Sequence, residues 1–305
     1  FFNKVIDYVY AVDGVSFVIE EGKTYGLVGE SGSGKSTIGK AIIGLEKIKS
    51  GKIIYEGKEI DGKFRNRRSE YNRNVQMIFQ DSLSSLNPKK RVIDLISEPL
   101  RNFENLTSDE EKRKVSELLE IVGMNREDIY KYPHEFSGGQ RQRLGIARAV
   151  ATKPKLIIAD EPVSALDLSV QAQVLNYMKD IQEQFGLSYL FISHDLGVVK
   201  HMCDYMFIMY HGRFVETGEK NDIYKNPEHF YTKRLIAAIP EIHPKKRAEN
   251  KRRRLKIEKE YLANEKKYYD ENGRVFDLKK LTDTHFVAFK DKNLRNDENS
   301  EKGGK

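Results

Sequence analysis

The chain has 305 residues but no tryptophan and only one cysteine, Cys203. A single cysteine excludes an internal disulfide and a cysteine metal cluster, and it fits a reducing compartment. We interpret Cys203 as a small buried apolar side chain. The sequence lacks an apolar run of about 18 residues, so it predicts no membrane span, and we see no secretory signal peptide. Because the chain begins at Phe1 without a methionine, we expect its native start to lie upstream.

A glycine-rich stretch between residues 29 and 36 fits the phosphate-binding pattern G-x-x-x-x-G-K-[ST]. The apolar run at 24–28 predicts a buried strand before it, and an apolar period of 3.6 predicts a helix after it. The alternative is a loop rich in glycine and serine in which the lysine occurs by chance, and this order of strand, loop and helix disfavours it. The candidate nucleotide-binding residues are Gly29, Glu30, Ser31, Gly32, Ser33, Gly34, Lys35, Ser36 and Thr37.

The helix after this loop has four apolar residues with helical spacing, namely Ile38, Ala41, Ile42 and Leu45. We expect their side chains to form one buried face. The amino end of the helix would then point at bound phosphates, because its unpaired amide groups and its dipole favour anions. We expect Lys35 to reach the β- and γ-phosphates and Ser36 to offer its hydroxyl group to Mg²⁺.

Two neighbouring carboxylates, Asp160 and Glu161, follow the mostly apolar run 155–159. Strand ends are where side chains meet a ligand in an open α/β sheet, so Asp160 is a candidate ligand of Mg²⁺. Strand alternation directs Glu161 the other way, which suits a general base for an attacking water. An exposed acidic turn is the alternative for the pair alone, and the phosphate-binding loop disfavours it.

Four further features complete a set of polar motifs in a fixed order. Gln80 and His194 each follow an apolar run, and Asp167 lies shortly after the carboxylate pair. A second glycine-rich turn opens a helix predicted at 139–152, and its residues are Ser137, Gly138, Gly139 and Gln140. A single glutamine or histidine at such a place is more often a satisfied polar group. In this order, over residues 11–240, the chain resembles the ATP-binding cassette (ABC) ATPases.

The resemblance implies a role for each motif. Gln80 would be a ligand of Mg²⁺ and would sense a membrane partner, and His194 would contact the γ-phosphate. Asp167 matches the D-loop aspartate, and residues 137–140 match the family signature. In this family two cassettes face head to tail, so that each ATP lies between the phosphate-binding loop of one subunit and the signature of the other.

The resemblance also implies an α/β fold: a P-loop NTPase core, an N-terminal antiparallel β subdomain and an inserted helical subdomain at about 81–153. We place the ATP-binding domain at 1–240 and a basic, partly disordered extension at 241–305. Local patterns predict strands at 11–20 and 52–55, a capping box of Ser108 and Glu111, and a helix at 169–185 that Gly186 ends.

Two stretches, 79–88 and 226–232, resemble the ATPases of oligopeptide, dipeptide and nickel importers, most closely the F-type subunit of oligopeptide permeases. This implies a sister D-type ATPase, two transmembrane permease subunits and an extracellular peptide-binding protein, with the chain at the cytoplasmic face of the membrane. We interpret the second stretch as a turn and helix start without a ligand role. Some F-type relatives hold an iron–sulfur cluster in a cysteine-rich tail, and this tail without cysteine predicts none.

An aromatic residue stacks on adenine in this family, and Tyr10 or Tyr8 is the candidate here. Ordinary strand packing of these tyrosines is the alternative, because aromatic residues favour strands.

The tail has a strongly basic segment, since residues 245–256 hold eight basic side chains against one acid, Glu249. A solvated helix is the simplest interpretation. Contact with anionic lipid, worth about 1 kcal/mol per basic residue, and binding of nucleic acid are the alternatives. We further predict that residues 256–269 extend such a helix, that residues 285–289 form a short strand and that residues 291–305 are disordered.

We therefore predict the ATP-hydrolysing subunit of an oligopeptide importer, with ATP and Mg²⁺ as its ligands and without a nucleic-acid partner. A dipeptide or nickel importer is the alternative within the family. An ABC ATPase acting on nucleic acid fits less well, because the chain has one cassette and no long heptad run between Gln80 and Ser137. A binding protein without activity would not need Glu161 and His194.

Overall fold

The computed structural model describes residues 10–60, 69–81, 85–239, 247–264 and 268–290. The chain forms two compact units, 1–213 and 214–305. The second unit begins before residue 240, where the sequence placed the end of the ATP-binding domain, and that domain assignment stays a prediction. In the described ranges no helix has both the length and the apolar character to cross a membrane.

The first unit alternates strands and helices. In chain order its elements begin with β1 (Thr24–Val28), α1 (Lys35–Ile42), β2 (Ile54–Tyr55), β3 (Lys58–Glu59), α2 (Glu70–Asn74) and β4 (Val75–Ile78). A helical segment follows with α3 (Val92–Phe103), α4 (Ser108–Ile121), two 3₁₀ turns (Arg126–Tyr130 and Pro133–Glu135) and α5 (Gly138–Val150). The unit continues with β5 (Leu156–Asp160), α6 (Leu168–Phe185), β6 (Ser188–Ser193), α7 (Leu196–Met202) and β7 (Tyr205–Tyr210).

Five parallel strands form the core sheet of this unit, in the order β4, β5, β6, β1, β7. Strands β1, β5 and β6 are almost entirely buried, which explains why their sequences are continuous apolar runs. Helix packing on the sheet is tight: a Cβ atom on Gly26 of β1 would lie only 3.0 Å from the sulfur of the fully buried Cys203. The predicted P-loop NTPase fold class is therefore confirmed.

Helix α1 is shorter than predicted. It ends at Ile42, and although Ile38 is buried, Leu45 lies beyond the helix and is 62% exposed. The chain turns at Gly44, where φ is 77°, so the 3.6-residue period stops before it reaches Leu45. The expectation that Leu45 shares the buried face is wrong.

The antiparallel β subdomain at the N-terminus is also smaller than predicted. Residues 11–20 contain no strand; they alternate between exposed and half-buried side chains, but their backbone does not join a β-ladder in the described part of the chain. The predicted strand at 52–55 is reduced to β2, which pairs with β3 in a two-stranded hairpin. The alternation of side-chain exposure in 11–20 therefore did not translate into strand pairing, so the predicted strand there is wrong.

The segment between β4 and β5 contains α3, α4 and α5, in the region where the sequence predicts a helical subdomain. The capping box of α4 is shifted by one residue, because Thr107 is the N-cap and exchanges hydrogen bonds with Glu110. Glu111, which the sequence pattern placed in the box, instead pairs with Arg101 of α3. Helix α6 ends at Gly186, as predicted, and this glycine adopts a left-handed conformation with φ of 63°.

The second unit contains β8 (Arg213–Glu219), α8 (Lys220–Lys225), α9 (Phe230–Ala237), α10 (Arg247–Asn264), β9 (Leu278–Lys280) and β10 (Phe286–Ala288). Strand β10 pairs antiparallel with both β8 and β9, which confirms the predicted strand near 285–289. Within the described residues helix α10 covers Arg247–Asn264, which agrees with the helix interpretation of the basic segment. Residues 268 and 269 are not helical, so the predicted extension of this helix as far as residue 269 is wrong at its C-terminal end. Residues 245–246 of the basic segment and the predicted disorder at 291–305 lie outside the described residues.

A buried polar cluster holds this unit together. The carboxylate of Glu216 accepts hydrogen bonds from the backbone N–H groups of Glu228 and His229, at 2.8 and 3.0 Å, and from Nε2 of His285 at 2.7 Å. Burial acts to lower the pKa of His285, but the hydrogen bond and the charge of Glu216 outweigh it and raise the pKa. The pair therefore anchors the short C-terminal strands to the start of α9.

His229 has a different state, since it is a fully buried helix cap. Its Nδ1 accepts a hydrogen bond from the N–H of Tyr231 at 3.2 Å, so this ring nitrogen carries no proton. Burial, and to a smaller extent the charge of Lys233, lowers the pKa of His229 to about 3. The histidine of the 226–232 stretch therefore caps a helix, as the interpretation without a ligand role predicts.

We expect the free energy of unfolding to fall in acid because of His229. The pKa of this histidine is about 6.5 in the unfolded chain and about 3 in the folded chain. Between these pH values only the unfolded chain binds the proton, so the free energy of unfolding decreases as the pH falls. His229→Asn keeps a capping acceptor but cannot titrate. The measurement is urea unfolding at pH 7 and at pH 4.5. Between these two pH values the free energy of unfolding of the wild type should fall by about 2–3 kcal/mol more than that of the variant. An equal loss in both proteins would contradict this assignment.

Candidate nucleotide-binding site

The predicted site residues that follow parallel strands meet at one edge of the sheet. Strands β1, β4, β5 and β6 are parallel, so their carboxyl ends lie side by side. The glycine-rich loop follows β1, Gln80 follows β4, Asp160 ends β5 and His194 follows β6. The sheet topology therefore brings together motifs that are more than a hundred residues apart in sequence.

The glycine-rich loop is fitted closely against its surroundings. A Cβ atom on Gly29 would lie 2.1 Å from the carbonyl oxygen of Met209, and one on Gly34 would lie 2.1 Å from that of Ala11. Gly34, at the N-cap of α1, also has a φ of 104°. No other residue type could occupy either position without displacing backbone, which gives a steric reason for the glycines.

Lys35 is buried beneath the loop, with only 4% of its surface exposed. Its ammonium group donates hydrogen bonds to the carbonyl oxygens of Gly29 and Glu30, at 2.9 and 2.7 Å, and lies 3.4 Å from Oγ of Ser33. Burial lowers the pKa of Lys35, while the carboxylates of Glu161 and Asp160 act in the opposite direction. The ammonium group of Lys35 is thus partly desolvated, and it lies where the loop would bind an anion.

The next residue along α1 contacts the neighbouring strand. Oγ of Ser36 donates a hydrogen bond of 2.8 Å to Oδ1 of Asp160, which is buried. Burial raises the pKa of Asp160, and the hydrogen bond from Ser36 opposes that effect. A hydroxyl group and a carboxylate beside a phosphate-binding loop are hard oxygen donors of the kind that Mg²⁺ prefers, so this pair fits the ion.

Glu161 points to different partners from Asp160. Its carboxylate accepts a 2.8 Å hydrogen bond from Nε2 of Gln80 and lies 3.0 Å from Nδ1 of His194. The backbone of Glu161 has a φ of 47°, which is strained for a residue with a side chain, and its N–H is held by the carbonyl oxygen of Ile192. Gln80, which we predicted as a metal ligand, contacts this carboxylate, and the described contacts do not join it to Ser36 or Asp160.

The signature residues lie at the start of α5. Ser137 and Gln140 form a reciprocal capping box, with hydrogen bonds of 2.9 and 3.3 Å, and no hydrogen bond joins either of them to the loop at 29–36 in the described ranges. Gly138 is exposed, whereas Gly139 packs on α6, where a Cβ atom would lie 2.4 Å from Val170. Asp167 is exposed as the N-cap of α6, followed by Leu168, which is 83% exposed.

The remaining predicted residues lie beside the loop. Tyr10 is 61% exposed, and the ammonium group of Lys49 lies 5.8 Å from the centre of its ring. Thr37 is half-buried in the first turn of α1. Sequence reasoning missed the backbone groups of Ala11 and Met209 that confine the glycines, since such contacts leave no side-chain signal.

A glycine-rich loop between a buried strand and a helix, with a buried lysine and a carboxylate from a neighbouring strand, defines a P-loop nucleotide-binding ATPase. Residues 12–164 match the family described as ABC transporter, and residues 215–271 match the oligopeptide/dipeptide transporter C-terminal region. The chain belongs to the ABC transporter family and is an ATP-binding, ATP-hydrolysing member of it.

The relatives agree with this placement. The chain is 57% identical to the oligopeptide transport ATP-binding protein OppF of Lactococcus lactis subsp. lactis, covering 94% of this chain and 90% of that protein. It is 47% identical to OppF of Bacillus subtilis, covering 92% and 90% of the two chains.

Solved structures show the same fold. A dimeric ATP-binding cassette in a post-hydrolysis state, bound to ADP and Pi, has a TM-score of 0.63 and 25% identity, covering 72% of this chain and 94% of that one. CbiO1 from Clostridium perfringens, part of the ABC transporter complex CbiONQ, has a TM-score of 0.64 and 27% identity, covering 74% and 88%.

We expect Gly139→Ala to reduce ATP hydrolysis, because its Cβ would collide with Val170 and push the start of α5 away from α6. Overpacking of this kind costs about 1–3 kcal/mol in well-packed interiors. The double variant Gly139→Ala/Val170→Ala removes the collision and should recover most of the activity. Steady-state phosphate release and urea unfolding measure both effects. If Val170→Ala gave no rescue, packing at Gly139 would not be the cause.

Proposed function

We propose that the chain is the ATP-hydrolysing subunit of an importer that takes up oligopeptides. The observation that carries the chemistry is the carboxylate of Glu161, held by Gln80 and His194 beside the phosphate-binding loop. The substrate class is supported by the relatives, which are oligopeptide transport ATP-binding proteins over nearly the whole chain.

The loop and Lys35 would bind the phosphates. The ammonium group of Lys35 already lies among oxygen acceptors, and phosphate oxygens can replace the loop carbonyls as its partners. The amide groups at the start of α1 add a favourable dipole. Ser36 and Asp160 would hold Mg²⁺, which supplies neutralisation of charge on the phosphates when it is bound.

Glu161 would act as the general base. Its carboxylate can take a proton from the water that attacks the γ-phosphate, and the hydrogen bonds from Gln80 and His194 fix its orientation. His194 has a half-exposed side chain, so its imidazole can also reach a γ-phosphate at the same edge.

A second cassette would complete the site. Ser137, Gly138 and Gln140 are exposed at the amino end of a long helix, which is an anion-binding geometry, and their contacts leave that end open to a partner. The exposed Leu168 beside Asp167 adds apolar surface to the same face. One similar cassette structure is a dimer bound to ADP and Pi, which supports this arrangement. For this chain the partner would be a sister D-type ATPase.

A groove in the first unit would receive the permease subunits. It has a volume of about 360 Å³, and its lining includes the apolar Met77, Phe79 and Phe103 together with the charged Glu98 and Arg148. Phe79 is 38% exposed, so part of this apolar surface is open to a partner. The groove is next to Gln80 in sequence, so a helix bound there could move the residue that holds Glu161. The chain would thereby sit at the cytoplasmic face of the membrane, with an extracellular peptide-binding protein completing the complex.

We expect Glu161→Gln to bind ATP normally but to hydrolyse it about 10²–10⁴-fold more slowly, because the amide cannot accept the proton from water. The measurements are nucleotide binding and steady-state phosphate release in the assembled complex, in which the ATP-bound dimer should accumulate. Glu183→Gln, on an exposed face of α6, is the matched control and should behave as wild type. Undiminished hydrolysis by Glu161→Gln would rule out Glu161 as the base.

We also expect Gly145→Leu to abolish assembly with permease subunits while ATP binding by the chain persists. Gly145 faces the groove, and a Cβ atom added to it would have no neighbouring atom within 4 Å, so leucine fills the groove without disturbing α5. Gln184→Leu adds the same side chain at an exposed position of α6 as a control. Co-purification from detergent-solubilised membranes measures assembly. Normal recovery of permeases with Gly145→Leu would contradict the docking site.

A further inference from the structure

The turn after β7 touches both the phosphate-binding loop and the segment that carries Tyr10. The two turn residues, His211 and Gly212, have φ values of 44° and 79°. Positive φ at both positions is typical of the tight two-residue turns of β-hairpins. The turn thus has a rigid backbone, and its hydrogen-bonding groups have fixed directions.

Gly212 connects the two neighbouring segments through its own backbone. Its N–H donates a hydrogen bond of 3.0 Å to the carbonyl oxygen of Ser33, in the phosphate-binding loop. Its carbonyl oxygen accepts a 2.8 Å hydrogen bond from the N–H of Asp13. The adjacent Arg213, only 6% exposed, places Nη1 3.4 Å from Oδ2 of Asp13 and so strengthens the same connection.

There is no room for a side chain in this contact. A Cβ atom on Gly212 would lie 2.8 Å from the carbonyl oxygen of Tyr10 and 3.2 Å from that of Ala11. The carbonyl oxygen of Ala11 in turn lies against Gly34 of the loop. The turn, the loop and the 10–13 segment therefore fix one another's positions through backbone contacts.

We propose that Gly212 is a positioning residue for the nucleotide base: it sets the separation between the loop that binds the phosphates and the ring of Tyr10. The covalent structure of a nucleoside triphosphate limits the span between its base and its phosphates, so a site that contacts both ends needs this separation to be held. The inference rests on the proposed function, and it adds to that function the stacking of the base on Tyr10, the candidate residue from the sequence. It gives the turn a part in recognising a purine nucleotide as distinct from its phosphate chain.

The test compares two glycine-to-alanine variants of the full chain. Gly57 follows Glu56 in the hairpin of β2 and β3, with φ values of 75° and 48°, and a Cβ atom there meets nothing within 4 Å. Gly57→Ala thus introduces the same backbone strain as Gly212→Ala without the collision. Calorimetry in Mg²⁺ buffer would measure the Kd for ATP and for inorganic tripolyphosphate, which has no base.

Gly212→Ala should raise the Kd for ATP about five- to tenfold, because stacking on an aromatic ring contributes affinity of that order. Its Kd for tripolyphosphate, and both Kd values of Gly57→Ala, should stay within about twofold of wild type. Equal losses for ATP and tripolyphosphate would overturn the proposal, since the turn would then support only the loop. Equal ATP affinities in Gly212→Ala and Gly57→Ala would overturn it as well.

A double-variant cycle tests whether Gly212 acts through Tyr10. In a Tyr10→Ala background, Gly212→Ala should cause little further loss of ATP affinity. Full additivity of the two losses would overturn the proposal. If Gly212→Ala does not fold by urea unfolding, Asp13→Asn weakens the same connection and should show the same loss confined to ATP. Wild type that binds neither ligand would instead refute the proposed function itself.

Discussion

Parallel pairing of the central strands is the constraint on which the site depends. In a parallel sheet every strand ends at the same edge, and each strand must return through a separate crossover. Here that edge receives the glycine-rich loop, Gln80, Asp160 and His194 from four different strands. A change of register in any one strand would separate groups whose contacts are between 2.8 and 3.0 Å. The buried, apolar strands therefore secure the geometry of the polar residues that follow them.

The electrostatics of the site are arranged around a cation that is poorly hydrated. Burial disfavours the charge on Lys35, and burial likewise disfavours the charge on Asp160. Each is stabilised by groups of the opposite sign or by hydrogen bonds, so neither charge stands alone in the interior. Such an environment strengthens interactions with an incoming polyanion, because water competes weakly there. The carboxylates of Asp160 and Glu161 contact different partners, Ser36 and Gln80 respectively, so each can have a separate role.

The sequence identified residues that the structure brings together at one edge of the sheet, because their signals are local: glycines that turn, a lysine at a fixed offset and carboxylates at strand ends. The fold class and the family also followed from the order of these motifs. Errors arose where a local pattern was extended too far, as with Leu45 after the turn at Gly44 and with pairing of the 11–20 segment. Contacts between distant backbone groups, such as Gly212 with Ser33, and the buried pair of Glu216 and His285 could not be predicted, because no spacing rule connects them.

The burial of Cys203 has a practical consequence for testing the proposed approach of two cassettes. The only sulfhydryl of the chain has no solvent exposure, and it packs against β1. Maleimide reagents would therefore leave the native protein unlabelled, and a cysteine engineered at exposed Ser164 would be the sole reactive thiol. A spin label or fluorophore at that place would report distances across a dimer during turnover, with every native residue of the interior retained.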